Sequence, residues 1–187
     1  QKNRGYDATQ KKEIEDDIKE MTHGEKIRKF FPWKLYFADV FKSGGFDIII
    51  GNPPYIQLQK SLDNGSDKKY GDIYEDQEYE TFKKTGDIYC LFYELGINLL
   101  KDSGSLSYIT SNQWMKTDYG DKLRKFFTKN NPKTFIDFGE YEAYESATVN
   151  TNVILIEKKT NDNNLHAVRI EKDFVEGKDL HEYFVQN

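Results

Sequence analysis

The chain has 187 residues, and 27 lysines and arginines stand against 32 aspartates and glutamates, giving a formal net charge of −5. This length suits one domain, or one domain with part of another, and it can bury a hydrophobic core. The 13 phenylalanines and 13 tyrosines argue against a disordered protein. The mild acidity excludes binding to nucleic acid through a generally basic surface, so any such role needs a local site.

Cysteine and histidine are too sparse for several kinds of site. Cys90 is the single cysteine, which excludes an intramolecular disulfide and a cysteine-based zinc site. The three histidines lack metal-ligand spacing, so we predict no metal. No apolar run approaches the ~18 residues of a membrane span and no signal-peptide pattern opens the chain, so we expect an intracellular protein without membrane contact. Because the first residue is glutamine rather than methionine, we expect a piece of a longer polypeptide.

The first half of the chain consists of a charged segment, an apolar run and a polar segment. Residues 1–29 are charge-rich, and the spacing of Ile14, Ile18 and Met21 predicts a surface helix. Residues 46–50 form a β-branched run between glycines, which predicts a buried strand. Residues 56–85 are polar and have no clean period, which predicts a long loop of a kind that is usually functional or mobile.

The second half alternates between helical and extended patterns. One helix is predicted at residues 86–101, and the apolar residues Leu123, Phe126 and Phe127 mark a second. Strands are predicted at residues 106–110, 134–138 and 152–157. A turn at residues 102–104 precedes the first of these strands, and Asn131-Pro132 predicts the end of the second helix. This alternation indicates an α/β domain, in which ligands bind at the carboxyl ends of the strands.

The motif Asn-Pro-Pro-Tyr, residues 52–55, follows the first buried strand. Its two prolines fix φ, remove two backbone donors and push the residue before each of them toward extended conformations, so the motif is a stiff, extended stub. Asn52 Oδ1 and the Pro53 carbonyl can both accept hydrogen bonds from the exocyclic amine of a planar base while Tyr55 stacks on its ring. The alternative interpretation is a rigid structural loop.

Residues 46–55, FDIIIGNPPY, resemble the catalytic motif of N6-adenine DNA methyltransferases. The stretch from residue 33 to residue 56 is similar to the type IIG restriction–modification methylases. Residues 85–92, TGDIYCLF, and 104–114, GSLSYITSNQW, resemble the next two motifs of that family in the expected order. The resemblance covers residues 30–160.

This resemblance implies a Rossmann-like class I S-adenosylmethionine-dependent methyltransferase domain with a mixed sheet, present here as its carboxyl-terminal half. Such enzymes flip adenine out of double-stranded DNA and methylate its N6 without a covalent enzyme intermediate. The implied catalytic residues are Asn52, Pro53, Pro54 and Tyr55. Tyr144 would stack on the second face of the base, and Asp39 would meet the adenine amine of the cofactor. The implied location is the cytoplasm of a bacterial-type cell.

The sequence departs from the family pattern upstream of residue 30, where nothing resembles the glycine-rich loop that holds the methionine end of the cofactor. We therefore predict a helical lead-in at residues 1–29, the half-domain at residues 30–160, and the start of a recognition region or linker at residues 161–187. The partners implied are double-stranded DNA and the rest of the same polypeptide: a cofactor half, a recognition domain and, in a fused restriction enzyme, a nuclease domain. The chain alone is expected to be inactive.

Other interpretations compete with this one. A non-catalytic DNA-binding remnant would keep the base pocket without the cofactor chemistry, and methylation of RNA or protein would use the same grip on a planar amine or amide. Asp137 with Glu157 and Lys159 has the acid–acid-x-lysine pattern of metal-dependent nucleases. For single residues the alternatives are helix capping by Asp39 or Asp87 and simple packing by Tyr144.

Overall fold

The computed structural model describes residues 12, 31–63, 67–139, 150–170, 179 and 182–184. The chain divides into two compact units, residues 1–39 and residues 40–187. Apart from Lys12, the predicted lead-in helix lies outside the described residues. Among the residues that are described, no helix is long and apolar enough to cross a membrane.

The described part of the first unit is an aromatic cluster around helix α1, Trp33–Tyr36. The Phe31 ring stacks on Tyr36 with centroids 5.0 Å apart, and Trp33 stacks on Phe37 at 5.8 Å. Pro32 sits at the N-cap of α1, where the missing N–H costs nothing. Helix α2, Ala38–Lys42, follows and carries Asp39, an exposed residue, in its first turn.

The second unit is an α/β domain. Its strands are β1 (Phe46–Gly51), β2 (Leu100–Ser111), β3 (Asn131–Asp137), β4 (Thr151–Glu157) and β5 (His166–Arg169). Its α-helices are α3 (Tyr70–Tyr74), α4 (Ile88–Leu99) and α5 (Gly120–Thr128), and two 3₁₀ turns lie at Glu75–Gln77 and Asn112–Met115. The order along the chain is therefore the predicted alternation of strand and helix.

Within the part of the chain that the structure describes, five strands form one mixed sheet in the order β1-β2-β4-β3-β5. β1 runs parallel to β2, β4 runs antiparallel to both β2 and β3, and β5 runs parallel to β3. Gly45 makes the entry to β1 possible, because its φ is +131° and an added Cβ would lie 2.5 Å from the Leu99 carbonyl oxygen. The strand predicted at residues 46–50 is confirmed, but its predicted burial is wrong within the described residues, because Ile48 and Ile50 are exposed on one face of β1.

The main core lies between the sheet and helices α4 and α5. The apolar face of α5 that the sequence predicts is buried: Leu123, Phe126 and Phe127. α4 approaches β2 closely at Gly96, where an added Cβ would lie 2.3 Å from Leu106 Cδ1. Cys90 is buried on α4, and burial raises the pKa of its thiol to about 12, so the thiol stays protonated at neutral pH.

Three details differ from the sequence-based prediction. The turn predicted at residues 102–104 lies inside β2, where Ser103 has a φ of +62°. The pairing of β2 with β1 shifts register between Phe46 and Ile48, so the turn is an irregularity within the strand rather than a break before it. α5 ends at Thr128, and Pro132 belongs to β3. The strand β5 lies in a segment whose weak pattern predicted none, because its four residues alternate poorly between polar and apolar.

The polar segment that predicted a structureless loop contains α3 and a 3₁₀ turn. Its apolar residues form a small second core with α4, in which Leu58 is buried against Ile88 and Leu91. Tyr70, Tyr74, Tyr79 and Phe82 pack at the margin of this core. The segment lacks a clean period because these side chains reach α4 from irregular backbone rather than from one regular element.

Candidate active site at the end of strand β1

The Asn-Pro-Pro-Tyr motif lies directly after the carboxyl end of β1, as the sequence predicts. Pro53 is buried and anchors the stub, whereas Asn52 and Pro54 are exposed and Tyr55 is 37% exposed. Within the described part of the chain, neither the Asn52 side-chain amide nor the Pro53 carbonyl has a hydrogen-bond partner. Residues 52–55 line a shallow concavity of about 240 Å³. Two acceptors and an aromatic ring are thus available to one planar ligand.

The downstream end of the motif is fixed to the start of α4. Ile88 N–H donates to the Ile56 carbonyl and Leu58 N–H donates to the Gly86 carbonyl, each at 2.9 Å. Between these two bonds, Asp87 Oδ1 accepts from Ile56 N–H at 3.0 Å and from Tyr89 N–H at 3.4 Å. Asp87 is therefore the N-cap of α4, which confirms the capping interpretation, and it also binds the backbone of Ile56, the residue after the Asn-Pro-Pro-Tyr motif.

Burial and backbone hydrogen bonds act on the pKa of Asp87 in opposite directions. Asp87 is 8% exposed, and its desolvation raises the pKa of the carboxyl group. Hydrogen bonds from the backbone N–H groups of Tyr89, Ile56 and Ile88 act in the opposite direction by favouring the carboxylate. Burial also raises the pKa of the Tyr89 hydroxyl, so this group serves as a neutral hydrogen-bonding partner.

A second, larger concavity of about 540 Å³ adjoins the first, and Tyr55 belongs to the wall of both. Its remaining wall consists mainly of polar side chains: Gln57, Lys60, Thr85, Asp87, Tyr89, Ser111, Gln113 and Tyr119. Ser111 and Gln113 lie in the last of the family-like motifs, so the resemblance could have indicated them. Tyr119 precedes α5 without any distinctive pattern, and no sequence signal could have found it.

The structure brings some of the predicted site residues together and leaves others apart. Asn52, Pro53, Pro54 and Tyr55 form one continuous surface. Asp39 lies at the end of the other compact unit, so its role toward a cofactor stays a prediction. Tyr144 lies outside the described residues, and its role as the second stacking ring also stays a prediction.

The nuclease interpretation is wrong, because the sheet separates its residues. Asp137 lies opposite Asn152 at one end of the β3–β4 pair, whereas Glu157 lies opposite Asn131 at the other end. Six residues of strand separate these positions, which is about 20 Å. Lys159 forms an ion pair with Glu157 at 2.7 Å, far from Asp137. Among the described residues no group of three or more acidic, histidine or cysteine side chains could hold a metal ion.

Comparison with known proteins agrees with the motif. The sequence profile of the Eco57I restriction-modification methylase family matches residues 2–144. The chain belongs to this family. It is 37% identical over 119 residues to the type II restriction enzyme and methyltransferase RM.Eco57I of Escherichia coli, a match that covers 63% of the chain and 12% of that protein. It is 31% identical over 128 residues to the type II methyltransferase M.BstVI of Geobacillus stearothermophilus, which covers 68% of the chain and 22% of that protein.

The family's fold is also found among solved structures. The type IIL restriction–modification enzyme MmeI, solved in complex with DNA, superimposes with a TM-score of 0.54 at 12% identity, over 74% of this chain and 18% of that one. The predicted fold, an α/β methyltransferase domain with a mixed sheet, is confirmed. The Eco57I-family chain spans less than a quarter of the length of the two curated relatives above.

Proposed function

We propose that the protein carrying this chain transfers a methyl group from S-adenosylmethionine to N6 of an adenine flipped out of double-stranded DNA. The observation that carries the proposal is the stub at the end of β1, where the Asn52 amide and the Pro53 carbonyl have no partner within the described residues and adjoin the Tyr55 ring. Membership of a restriction–modification methylase family supports the methyl transfer. The relative MmeI, solved with DNA, supports DNA as the substrate.

The residues of this chain would act on the amine and on the ring of the base. The lone pair of the adenine amine is delocalised into the ring, so the amine is a weak nucleophile. Asn52 Oδ1 and the Pro53 carbonyl would each accept a hydrogen bond from one N–H of this amine. The nitrogen then becomes more tetrahedral and more nucleophilic, and its lone pair points at the methyl donor. Stacking on Tyr55, about 1–3 kcal/mol, offsets part of the few kcal/mol that flipping costs.

The cofactor would be held mainly by parts of the protein beyond this chain. S-adenosylmethionine supplies an electrophilic methyl group on its sulfonium centre. Within the described residues no glycine-rich loop precedes β1, and Asp39 is the residue that we assign to the cofactor, through the adenine amine. We therefore expect the 187-residue chain alone to be inactive.

The exposed isoleucines of strand β1 indicate that another part of the same polypeptide packs against it. Ile48 and Ile50 point to one face of the strand and are 63% and 79% exposed, whereas Ile49 packs on the core from the other face. Parallel strands that read as apolar runs are normally buried on both faces. β1 is the edge of the described sheet. The cofactor half of the polypeptide would extend the sheet at this edge and cover the two isoleucines.

Ile50→Lys tests this assembly in the complete natural polypeptide. Burying a lysine in an apolar interface is costly, so we expect hydrogen exchange of the β1 amides to accelerate at least about tenfold, which corresponds to 1.4 kcal/mol. The matched control is Ile73→Lys, since Ile73 is 47% exposed on α3. Equal exchange in the two variants would contradict the proposed covering of β1.

The reaction itself is tested by identifying the methylated nucleoside. Unmethylated genomic DNA would be incubated with the complete polypeptide and isotope-labelled S-adenosylmethionine, digested, and analysed by mass spectrometry. We expect label in N6-methyladenine. Label in N4-methylcytosine, whose parent base also has an exocyclic amine, would contradict adenine specificity. If the polypeptide binds DNA equally well with and without S-adenosylmethionine and no nucleoside carries label, the non-catalytic DNA-binding remnant is supported instead.

A further inference from the structure

The orientation of the Tyr55 ring depends on a residue outside the Asn-Pro-Pro-Tyr motif. Tyr89 of α4 meets the Tyr55 ring edge to face, with centroids 6.0 Å apart and an interplanar angle of 78°. Tyr89 is only 1% exposed, so its own ring is enclosed by the core. A buried ring at this position limits the directions in which the Tyr55 ring can turn.

Tyr89 is in turn held by a hydrogen bond to a third segment of the chain. Its hydroxyl lies 2.8 Å from the Tyr119 hydroxyl, in the wall of the larger concavity. Lys83 Nζ donates to the Asp118 carbonyl at 2.8 Å and so ties the Tyr119 segment to the loop before α4. Tyr55, Tyr89 and Tyr119 therefore form a row of rings drawn from three separate parts of the fold.

We propose that the Tyr89–Tyr119 hydroxyl pair is a positioning device, which holds the Tyr55 ring in the orientation that receives the flipped base. The inference rests on the proposed function and extends it to two residues that do not touch the base. Aromatic stacking depends on the plane and offset of the two rings. A ring already fixed in its bound orientation loses less conformational freedom when the base arrives, which favours the productive complex.

The chain offers a matched control for this role. Tyr93 lies one helical turn after Tyr89, is 0% exposed, and its hydroxyl is 2.8 Å from Thr110 Oγ1. Its ring contacts Tyr108 and Phe127. Tyr93→Phe removes a buried hydroxyl–hydroxyl bond of the same kind, and it leaves the Tyr89–Tyr119 pair in place.

The experiment uses the complete natural polypeptide and a duplex that contains its target site in unmethylated form. For Tyr89→Phe and Tyr119→Phe we expect the single-turnover rate of methyl transfer to fall about five-fold, the effect of one neutral hydrogen bond. We expect duplex affinity to stay within two-fold. The double variant should be no slower than either single variant, because all three lose the same bond. Tyr93→Phe should keep the wild-type rate. With 2-aminopurine in place of the target adenine, the rise in emission on binding should be smaller for the two positioning variants.

Several outcomes would overturn the inference. Wild-type rates in Tyr89→Phe and Tyr119→Phe would do so, as would additive losses in the double variant. An equal loss in Tyr93→Phe would show a general effect of core hydroxyls. Asn52→Ala, measured in parallel, separates this result from the proposed function. If that variant keeps its rate the function fails, whereas an inactive Asn52→Ala beside fully active tyrosine variants overturns the positioning role alone.

Discussion

Replacing Asn52 by alanine in the complete polypeptide is expected to reduce methyl transfer by about 100- to 1,000-fold, the effect of removing one preorganised polar contact to a reacting group. Asn52 is exposed and follows β1 at its carboxyl end, and its side chain has no partner in the described part of the chain. Its loss should therefore leave the fold intact. Duplex affinity should change by no more than a few fold, because phosphate contacts dominate binding to DNA.

The measurement is single-turnover transfer of labelled methyl groups, combined with a direct assay of duplex binding. Asn98→Ala is the matched control, since Asn98 is an exposed asparagine on α4, away from the candidate site. It should retain the wild-type rate. Retained transfer in Asn52→Ala would contradict the mechanism, and a parallel collapse of transfer and duplex binding would assign Asn52 to DNA binding rather than to the reaction.

Gly120→Ala is expected to lower the free energy of unfolding of the second unit by about 3 kcal/mol, the upper range for overpacking. An added Cβ at the first residue of α5 would lie 1.8 Å from the Trp114 carbonyl oxygen. That carbonyl is held in place, because Arg124 Nη1 donates to it at 2.5 Å. Backbone must therefore move, and the neighbouring Tyr119 must move with it.

Hydrogen exchange of the core amides in α4 and β2 measures this effect in the complete polypeptide, and about 100-fold faster exchange is expected. Lys125→Ala is the control, since the Lys125 side chain is 74% exposed on the same helix. It should change the stability by no more than about 0.5 kcal/mol. Unchanged exchange in Gly120→Ala would mean that the start of α5 can move without cost.

Local patterns predicted the elements that are defined by neighbouring residues. The β-branched run of β1, the stiff Asn-Pro-Pro-Tyr stub and the apolar face of α5 each follow from the chemistry of a few consecutive positions. The same holds for the α/β class and for the placement of the motif at a strand's carboxyl end. Boundaries were harder, because tertiary pairing extends β2 back to Leu100 and draws Pro132 into β3.

The sequence by itself therefore determined the family and the α/β class, and it placed the candidate base-binding residues at the end of β1. The tertiary structure decided which distant groups support them. Asp87 binds the backbone of Ile56, 31 positions away, and Tyr89 bonds Tyr119, 30 positions away. It also placed Asp137 and Glu157 at opposite ends of the β3–β4 pair, although the acid–acid-x-lysine pattern groups them. These relations depend on strand register and on contacts between remote segments, and no local pattern of side chains encodes either of them.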